Sequence, residues 1–301
     1  MQVGVGLPST ISAVDRDLLL AWARQADAGP FSTLGVFDRL AYDSYDPLIS
    51  LAACAAVTNR IRLATTILTG PLYNTALLAK AAASLDALSG GRLVLGLAVG
   101  ARESDYVAAG VEHRGRGKRL SEQLLALRGI WEEGAIGPPP AQPGGPKLLL
   151  GGTSDVVLTR MARYAHGYIH GGGTPRAFAR AADKARAAWS DAGRPDHLHL
   201  WGMAYYALGA EAVEQGHNYL MKYYAFTGPF AGKIAAGLLT TPEMIREFIQ
   251  GYEDAGCEEL ILFPTVGHIE QLSHLADVAG SAARVSSARN AGSSAAQGQT
   301  S

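Results

Sequence analysis

Short runs rich in β-branched and aliphatic residues alternate with longer runs of helical period along almost the whole chain, and this alternation constrains the fold more than any other feature. A strand, a crossover helix and a parallel strand form the repeating unit of α/β proteins. Strands are expected at 2–7, 33–37, 62–68, 92–99, 147–150, 167–170, 197–206 and 259–263, and helices at 15–28, 47–57, 76–88, 121–133, 155–165, 175–192, 242–255 and 269–279. About eight βα units in about 280 residues match a (β/α)8 TIM barrel, typically about 250 residues long. An open doubly wound sheet is the alternative. Thr174-Pro175 and Thr241-Pro242-Glu243 place a capping hydroxyl and a first-turn proline ahead of apolar periodicity, which fixes two helix starts. The proline- and glycine-rich stretch 134–146 reads as a loop between the fourth helix and fifth strand. Residues 209–239 exceed one crossover helix, and their aromatics (Tyr219, Tyr223, Tyr224, Phe226, Phe230) suggest a helical insertion over the barrel mouth. The run of Ser, Ala, Gly, Gln and Asn over 281–301 reads as a disordered tail, leaving 1–280 as one barrel domain.

Charge and composition remove several classes of function. With 26 Lys and Arg against 27 Asp and Glu, the chain has no electrostatic pull toward nucleic acid. No stretch reaches the roughly 18 to 20 apolar residues of a membrane span, and the first residues lack a secretory pattern, so a cytoplasmic protein is expected. Cys54 and Cys257 are too few for a disulfide framework, and no histidine pair has the spacing of a zinc motif, so no metal is expected.

In a barrel, chemistry sits where strands end and helices begin. Leu150-Gly151-Gly152-Thr153-Ser154 is a strand running into two glycines and two hydroxyls at a helix start, the pattern of an anion cradle or of a plain capped turn. Gly171-Gly172-Gly173-Thr174 offers a second glycine turn. Asp38, Arg39 and Tyr42 follow the second strand, Thr65, Thr66 and Ile67 end the third, and Gly100 follows the fourth. His170 ends the sixth, and Tyr205 and Tyr206 end the seventh. The run His113, Arg114, Arg116, Lys118, Arg119 is a solvated loop or a holder for an acidic cofactor tail. Gly4-Val5-Gly6 begins like a dinucleotide fingerprint, but Pro8 and Ser9 break the pattern. There is no nucleophile elbow and no P-loop.

Several stretches in order resemble the bacterial luciferase-like superfamily of flavin-dependent monooxygenases and deazaflavin (F420)-dependent oxidoreductases. They are Phe37-Asp38-Arg39-Leu40, Asp46-Pro47-Leu48, Thr58-Asn59-Arg60-Ile61-Arg62-Leu63, Leu78-Ala79-Lys80, Ser84-Leu85-Asp86 and Leu88-Ser89-Gly90-Gly91-Arg92. Glu103, Asp105-Tyr106, Arg119 with Glu122, Leu150-Gly151-Gly152 and Arg163-Tyr164-Ala165-His166-Gly167 continue the match. The resemblance implies a luciferase-like barrel with a flavin at its C-terminal mouth and a non-prolyl cis peptide at Thr66-Ile67. It implies cofactor binding by Asp38, Thr65, Thr66, Ile67, Gly100, Gly151, Gly152, Thr153 and Ser154, with FMN or coenzyme F420 as the cofactor. Arg39, Tyr42 and His170 are then the catalytic candidates, and Tyr205, Tyr206 and Phe226 the substrate candidates. Arg39 stands where many members carry a histidine, and Ala101 where sugar-phosphate reductases carry a glutamate, so neither role transfers. The expected activity is monooxygenation with reduced FMN, or hydride transfer with reduced F420, on a small organic substrate. A separate reductase supplies the cofactor, and a homodimer forms through the second and third helices. A non-catalytic flavin-binding protein or inactive partner subunit, and a flavin-free phosphate-binding barrel, are the alternatives.

Overall fold

The computed structural model describes residues 1–280; the expected tail at 281–301 lies outside them. Eight parallel strands form a closed barrel in sequence order. They are β1 (Gln2–Gly6), β2 (Thr33–Val36), β3 (Arg62–Thr69), β4 (Leu93–Ala98), β5 (Lys147–Gly151), β6 (Gly167–His170), β7 (His199–Tyr206) and β8 (Glu259–Pro264). Closure comes from β1 pairing with β8 in the register Gln2 to Glu259 through Val5 to Leu262. The helices are α1 (Arg16–Ala28), α2 (Pro47–Ala55), α3 (Thr75–Ser89), α4 (Glu103–Ala108), α5 (Arg116–Glu133), α6 (Asp155–Tyr164), α7 (Pro175–Asp191), α8 (Ala210–Tyr223), α9 (Phe230–Ala235) and α10 (Pro242–Asp254). A last helical segment runs over 270–280. No helix among the described residues is long and apolar enough to cross a membrane.

Alternation along each strand sorts the core into two layers. Ala64, Val94, Leu149, Ile169, Trp201, Met203, Ile261 and Phe263 fill the barrel interior, and Phe37, Ile67 and Tyr205 pack onto them from the mouth. The alternate residues, such as Leu34, Leu63, Leu95, Leu150 and Leu260, face the helices. The glycines of the Gly4-Val5-Gly6 run are packing residues: a Cβ on Gly6 would lie 2.0 Å from the Phe263 ring. That accounts for a motif which had looked like the start of a nucleotide fingerprint.

The two expected proline starts hold, since Thr174 accepts from Ala177 N–H and Thr241 from Met244 N–H. Most boundaries agree within two residues, and the larger differences lie between β4 and β5. The short helix α4 was not anticipated, and α5 starts at Arg116, five residues before the expected start at Ser121. Its first turn holds Arg116, Lys118 and Arg119 and no acidic residue, which opposes the positive end of the helix dipole and hides the start from a reading based on charge. The expected insertion is α8, a single 3-10 turn and α9. It builds its own small core from Ala207, Ala212, Leu220, Ala235, Leu238 and Val266, with Tyr205, Tyr219 and Tyr224 against it. Gly216 lets α8 lie against the end of β8, because a Cβ there would sit 2.3 Å from the Thr265 hydroxyl.

Candidate functional site

At the end of β3 the ladder to β4 shifts register between Thr65 and Leu68, and the Thr66–Ile67 peptide is cis, where the resemblance placed it. The threonine hydroxyls are committed to the barrel: Thr65 donates to the Gly96 carbonyl at 2.8 Å and Thr66 to the Val36 carbonyl at 3.1 Å. Ile67 therefore presents the free side chain of the bulge. It fills the space over Gly151 so closely that a Cβ on Gly151 would lie 1.9 Å from its Cδ1. Gly100 plays a similar part, with φ of 68° and room for a Cβ only 2.6 Å from Thr69.

Asp38 ties the end of β2 to the same bulge. Its carboxylate accepts the Thr69 N–H at 2.7 Å and the Tyr73 hydroxyl at 3.3 Å. Burial outweighs these bonds and pushes its carboxyl up to about 6. A carboxyl group that exchanges its proton near neutrality at a strand end is the kind of perturbation found at functional sites.

Arg39 is engaged within the protein. Its Nε donates to Asp105 at 3.1 Å, and both side chains are buried. Its guanidinium lies 4.9 Å from the Tyr42 ring and 5.5 Å from the Tyr223 ring. Arg102, from the turn after β4, is held in a similar way: it lies over Phe226 at 4.2 Å, Tyr223 at 4.6 Å and Tyr224 at 5.7 Å, and donates to the Tyr223 carbonyl at 3.2 Å. That carbonyl ends α8, where a cation complements the dipole. The roof is also tied to the barrel, since the Tyr205 and Tyr224 hydroxyls meet at 2.6 Å and Thr10 meets the Tyr219 hydroxyl at 2.7 Å. Phe37 stacks on Phe263 at 3.9 Å beneath it. Burial raises the Tyr205, Tyr219 and Tyr224 phenols above their ordinary range, so they are neutral donors and acceptors.

On the other side of the mouth, β5 and β6 end in the two glycine turns. Gly152 has φ of 139° and Gly173 of 126°, conformations closed to most side chains. Ser154 is the N-cap of α6, yet its hydroxyl bonds to no helix N–H, whereas Asp15, Asp46, Asn74, Thr174 and Thr241 all cap their own helices. The free N–H groups of α6 and the Ser154 and Thr153 side chains are thus open to a ligand. Tyr168 donates to the Gly152 carbonyl at 2.7 Å and meets His170 Nδ1 at 3.2 Å. His170 is 7% exposed and its Nε2 has no partner. Burial holds it below the usual histidine range, so it is neutral near pH 7. Two glycine turns, an uncommitted hydroxyl, free helix N–H groups and a buried imidazole with one unpartnered nitrogen fit a phosphate monoester or diester.

The structure brings Asp38, Arg39, Tyr42, Tyr205 and Phe226 to one side of the mouth and gathers Gly151, Gly152, Thr153 and Ser154 on the other, with Ile67 between; His170, next to the interior-facing Ile169, turns toward the helices and packs edge-on against Phe178 of α7, behind the glycine turns. Tyr206 is not in this group. Its side chain faces the helices and its hydroxyl reaches the Gln271 carbonyl at 3.2 Å, because neighbouring strand residues point to opposite faces. Arg102, Tyr223 and Tyr224 are the roof residues not chosen as site residues. The aromatic insertion hinted at the tyrosines, but no local pattern marks Arg102 as their partner. At the opposite end of the barrel, His197, His199 and Glu258 lie together, with both imidazoles bonded to Glu258 and Lys147 Nζ 2.8 Å from His199 Nε2.

A family model of luciferase-like monooxygenases matches residues 1–272. The chain belongs to the luciferase-like monooxygenase family. Members of this family are oxidoreductases. An uncharacterised protein of Mycobacterium tuberculosis is 32% identical over 216 residues, covering 59% of this chain and 74% of that protein. The FMNH(2)-dependent dimethylsulfone monooxygenase of Pseudomonas putida is 26% identical over 196 residues, covering 60% of this chain and 53% of that enzyme. An F420-dependent secondary alcohol dehydrogenase, solved with an F420-acetone adduct, superposes with a TM-score of 0.74 at 16% identity, covering 92% of this chain and 97% of that one. The structural likeness agrees with the luciferase-like barrel.

Proposed function

We propose that this luciferase-like protein is an oxidoreductase that binds reduced FMN or reduced F420 at the barrel mouth and acts on a small organic substrate beneath the α8 roof. The observation that carries the reading is the uncapped start of α6: Ser154, Thr153 and Gly152, near the unpartnered Nε2 of His170, would hold the cofactor phosphate. Ile67, Gly151, Asp38 and Gly100 would border its ring. When bound, the cofactor supplies the electrons, for oxygen insertion in the FMN case and for hydride transfer in the F420 case.

The chain's own residues supply orientation, charge and exclusion of water. Phe37, Tyr205, Tyr223 and Phe263 give an apolar wall, and the Tyr205–Tyr224 hydroxyl pair offers polar contacts to a substrate oxygen. Asp38 is the group able to hold or release a proton near neutral pH. Arg39 and Arg102 clamp the roof through its rings, so substrate entry requires those cation–π contacts to part. A separate reductase would supply the reduced cofactor. The exposed Ile49 on α2 and Leu77 and Leu88 on α3, with alanines between them, are suited to pairing two copies.

Titration of the purified protein with FMN and with F420, followed by fluorescence quenching, tests this reading. Saturable binding that weakens in Ser154→Ala is expected. Binding of neither ligand overturns it.

A further inference from the structure

Beside the proposed phosphate cradle lies a group of cations that the protein itself leaves unneutralised. The stretch from Glu112 to Glu122 carries Arg114, Arg116, Lys118 and Arg119, and Lys118 pairs with Glu122 at 3.7 Å. Arg116 and Arg119 make no ion pair among the described residues; they donate to the backbone carbonyls of His113, Arg114 and Glu112. The Nε atoms of both, and His113 Nε2, are shielded from water without a hydrogen-bond partner. Buried polar atoms left unpaired are costly, and these three lie within seven residues of one another. Arg160 of α6 joins them: it donates to the Ser121 hydroxyl at 2.8 Å, its guanidinium lies over Gly117, and it too makes no ion pair among the described residues.

Two neighbours place this group at the barrel mouth. Tyr106, whose ring meets that of His113 edge-on at 5.0 Å, bonds through its hydroxyl to the Val99 carbonyl just beyond β4. Arg160 stands six residues beyond Ser154 in α6, about 9 Å along the axis from the cradle at 1.5 Å per residue. The cations therefore form a shelf running away from the cradle, over the uncompensated start of α5.

We propose that this shelf binds a polycarboxylate tail extending from the cofactor phosphate, so that the chain takes F420, whose phosphodiester carries an oligoglutamate tail, in preference to FMN, which ends at its phosphate. The inference rests on the reading of Gly151 to Ser154 as the phosphate site. Three residues of extended chain span about 10 Å, enough to carry a carboxylate from the cradle to Arg160, which lies over Gly117 next to Arg116. Each carboxylate would meet a guanidinium fork suited to it, and the negative charge would also relieve the repulsion between the cations and the start of α5.

The test is an equilibrium titration of the full chain with three probes: F420 with its oligoglutamate tail, the same coenzyme lacking all glutamates, and FMN. Each is run on the wild type, Arg116→Gln, Arg160→Gln and the pair, with Arg116→Lys as the conservative control. The tailed coenzyme is expected to bind at least about tenfold more tightly than the tail-less form. That ratio should collapse toward one in the double variant, survive in part in Arg116→Lys, and shrink as salt rises from 0.05 to 0.5 M. Equal wild-type affinity with and without the tail overturns the shelf while leaving the flavin reading standing. An equal loss for FMN and the tail-less coenzyme in the double variant also overturns it, because the cations would then serve the phosphate. Binding of none of the probes refutes both readings.

Discussion

Gly151→Ala should separate the protein's stability from its capacity for cofactor. The new Cβ would lie 1.9 Å from Ile67 Cδ1 and 3.2 Å from Ile67 Cγ1, with Ile169 Cγ2 at 3.3 Å. Gly151 does not sit in the left-handed region, so the backbone tolerates alanine and the clash falls on the end of one side chain. Ile67 is half-buried and can yield by turning its terminal methyl toward the mouth. A displaced rotamer of this kind costs about 0.5–1.5 kcal/mol, well below the 1–3 kcal/mol of a rigid overpacked core. The methyl then occupies space proposed for the cofactor ring, so affinity should fall by at least about tenfold, or about 1.4 kcal/mol. Ile67→Val removes Cδ1 alone, and combined with Gly151→Ala it should restore binding, a coupling that a double-mutant cycle measures directly. Urea unfolding of the four proteins gives the stability arm, and fluorescence quenching by FMN and F420 gives the affinity arm. Strict additivity of the two substitutions in affinity, or undiminished binding in Gly151→Ala, would refute the placement of the ring beside Ile67.

Three further outcomes follow from the geometry. Asp38 binds its proton more tightly in the folded chain than the ordinary 3.8 allows, so its contribution to stability is full at low pH and is lost as pH rises through about 6. At about 1.4 kcal/mol per tenfold in proton affinity, wild type should lose up to about 3 kcal/mol relative to Asp38→Asn between pH 4 and about 7, measured by denaturant titration; parallel pH profiles would sink this. Arg102→Met keeps an apolar stem but removes the cation from three rings, and should loosen the roof by about 1–2 kcal/mol. Faster amide exchange confined to α8 and α9 is the readout, and unchanged exchange there counts against a clamping role. Ser154→Ala should leave stability within about 0.5 kcal/mol, because the hydroxyl caps nothing, while weakening binding of FMN more than of riboflavin, which has no phosphate. A stability loss above about 1 kcal/mol with equal effects on the two flavins would show an ordinary cap.

Much of the barrel was legible because its signals are local. Strand alternation and the proline starts at Thr174 and Thr241 lie within a few residues and survive in the fold. The start of α5 was missed because Arg116, Lys118 and Arg119 sit where dipole arguments predict acids. The cradle could be read as glycines and hydroxyls on a strand end, yet the decisive fact that Ser154 leaves its own helix uncapped exists only in three dimensions. Arg39 was read as a catalytic candidate from its place after the second strand; its engagement with Asp105 joins residues 66 positions apart, which no local pattern encodes. Tyr206 was misplaced by a single residue of register, since Tyr205 faces the mouth and its neighbour must face away.

The central claim is that the mouth of this barrel takes a phosphate-bearing flavin-type cofactor. Its most direct test is the parallel titration of purified protein with FMN and F420, with Ser154→Ala alongside. The account predicts saturable binding of at least one cofactor, weakened by loss of the Ser154 hydroxyl, with F420 the tighter of the two. Binding of neither, in wild-type protein shown to be folded, would contradict it.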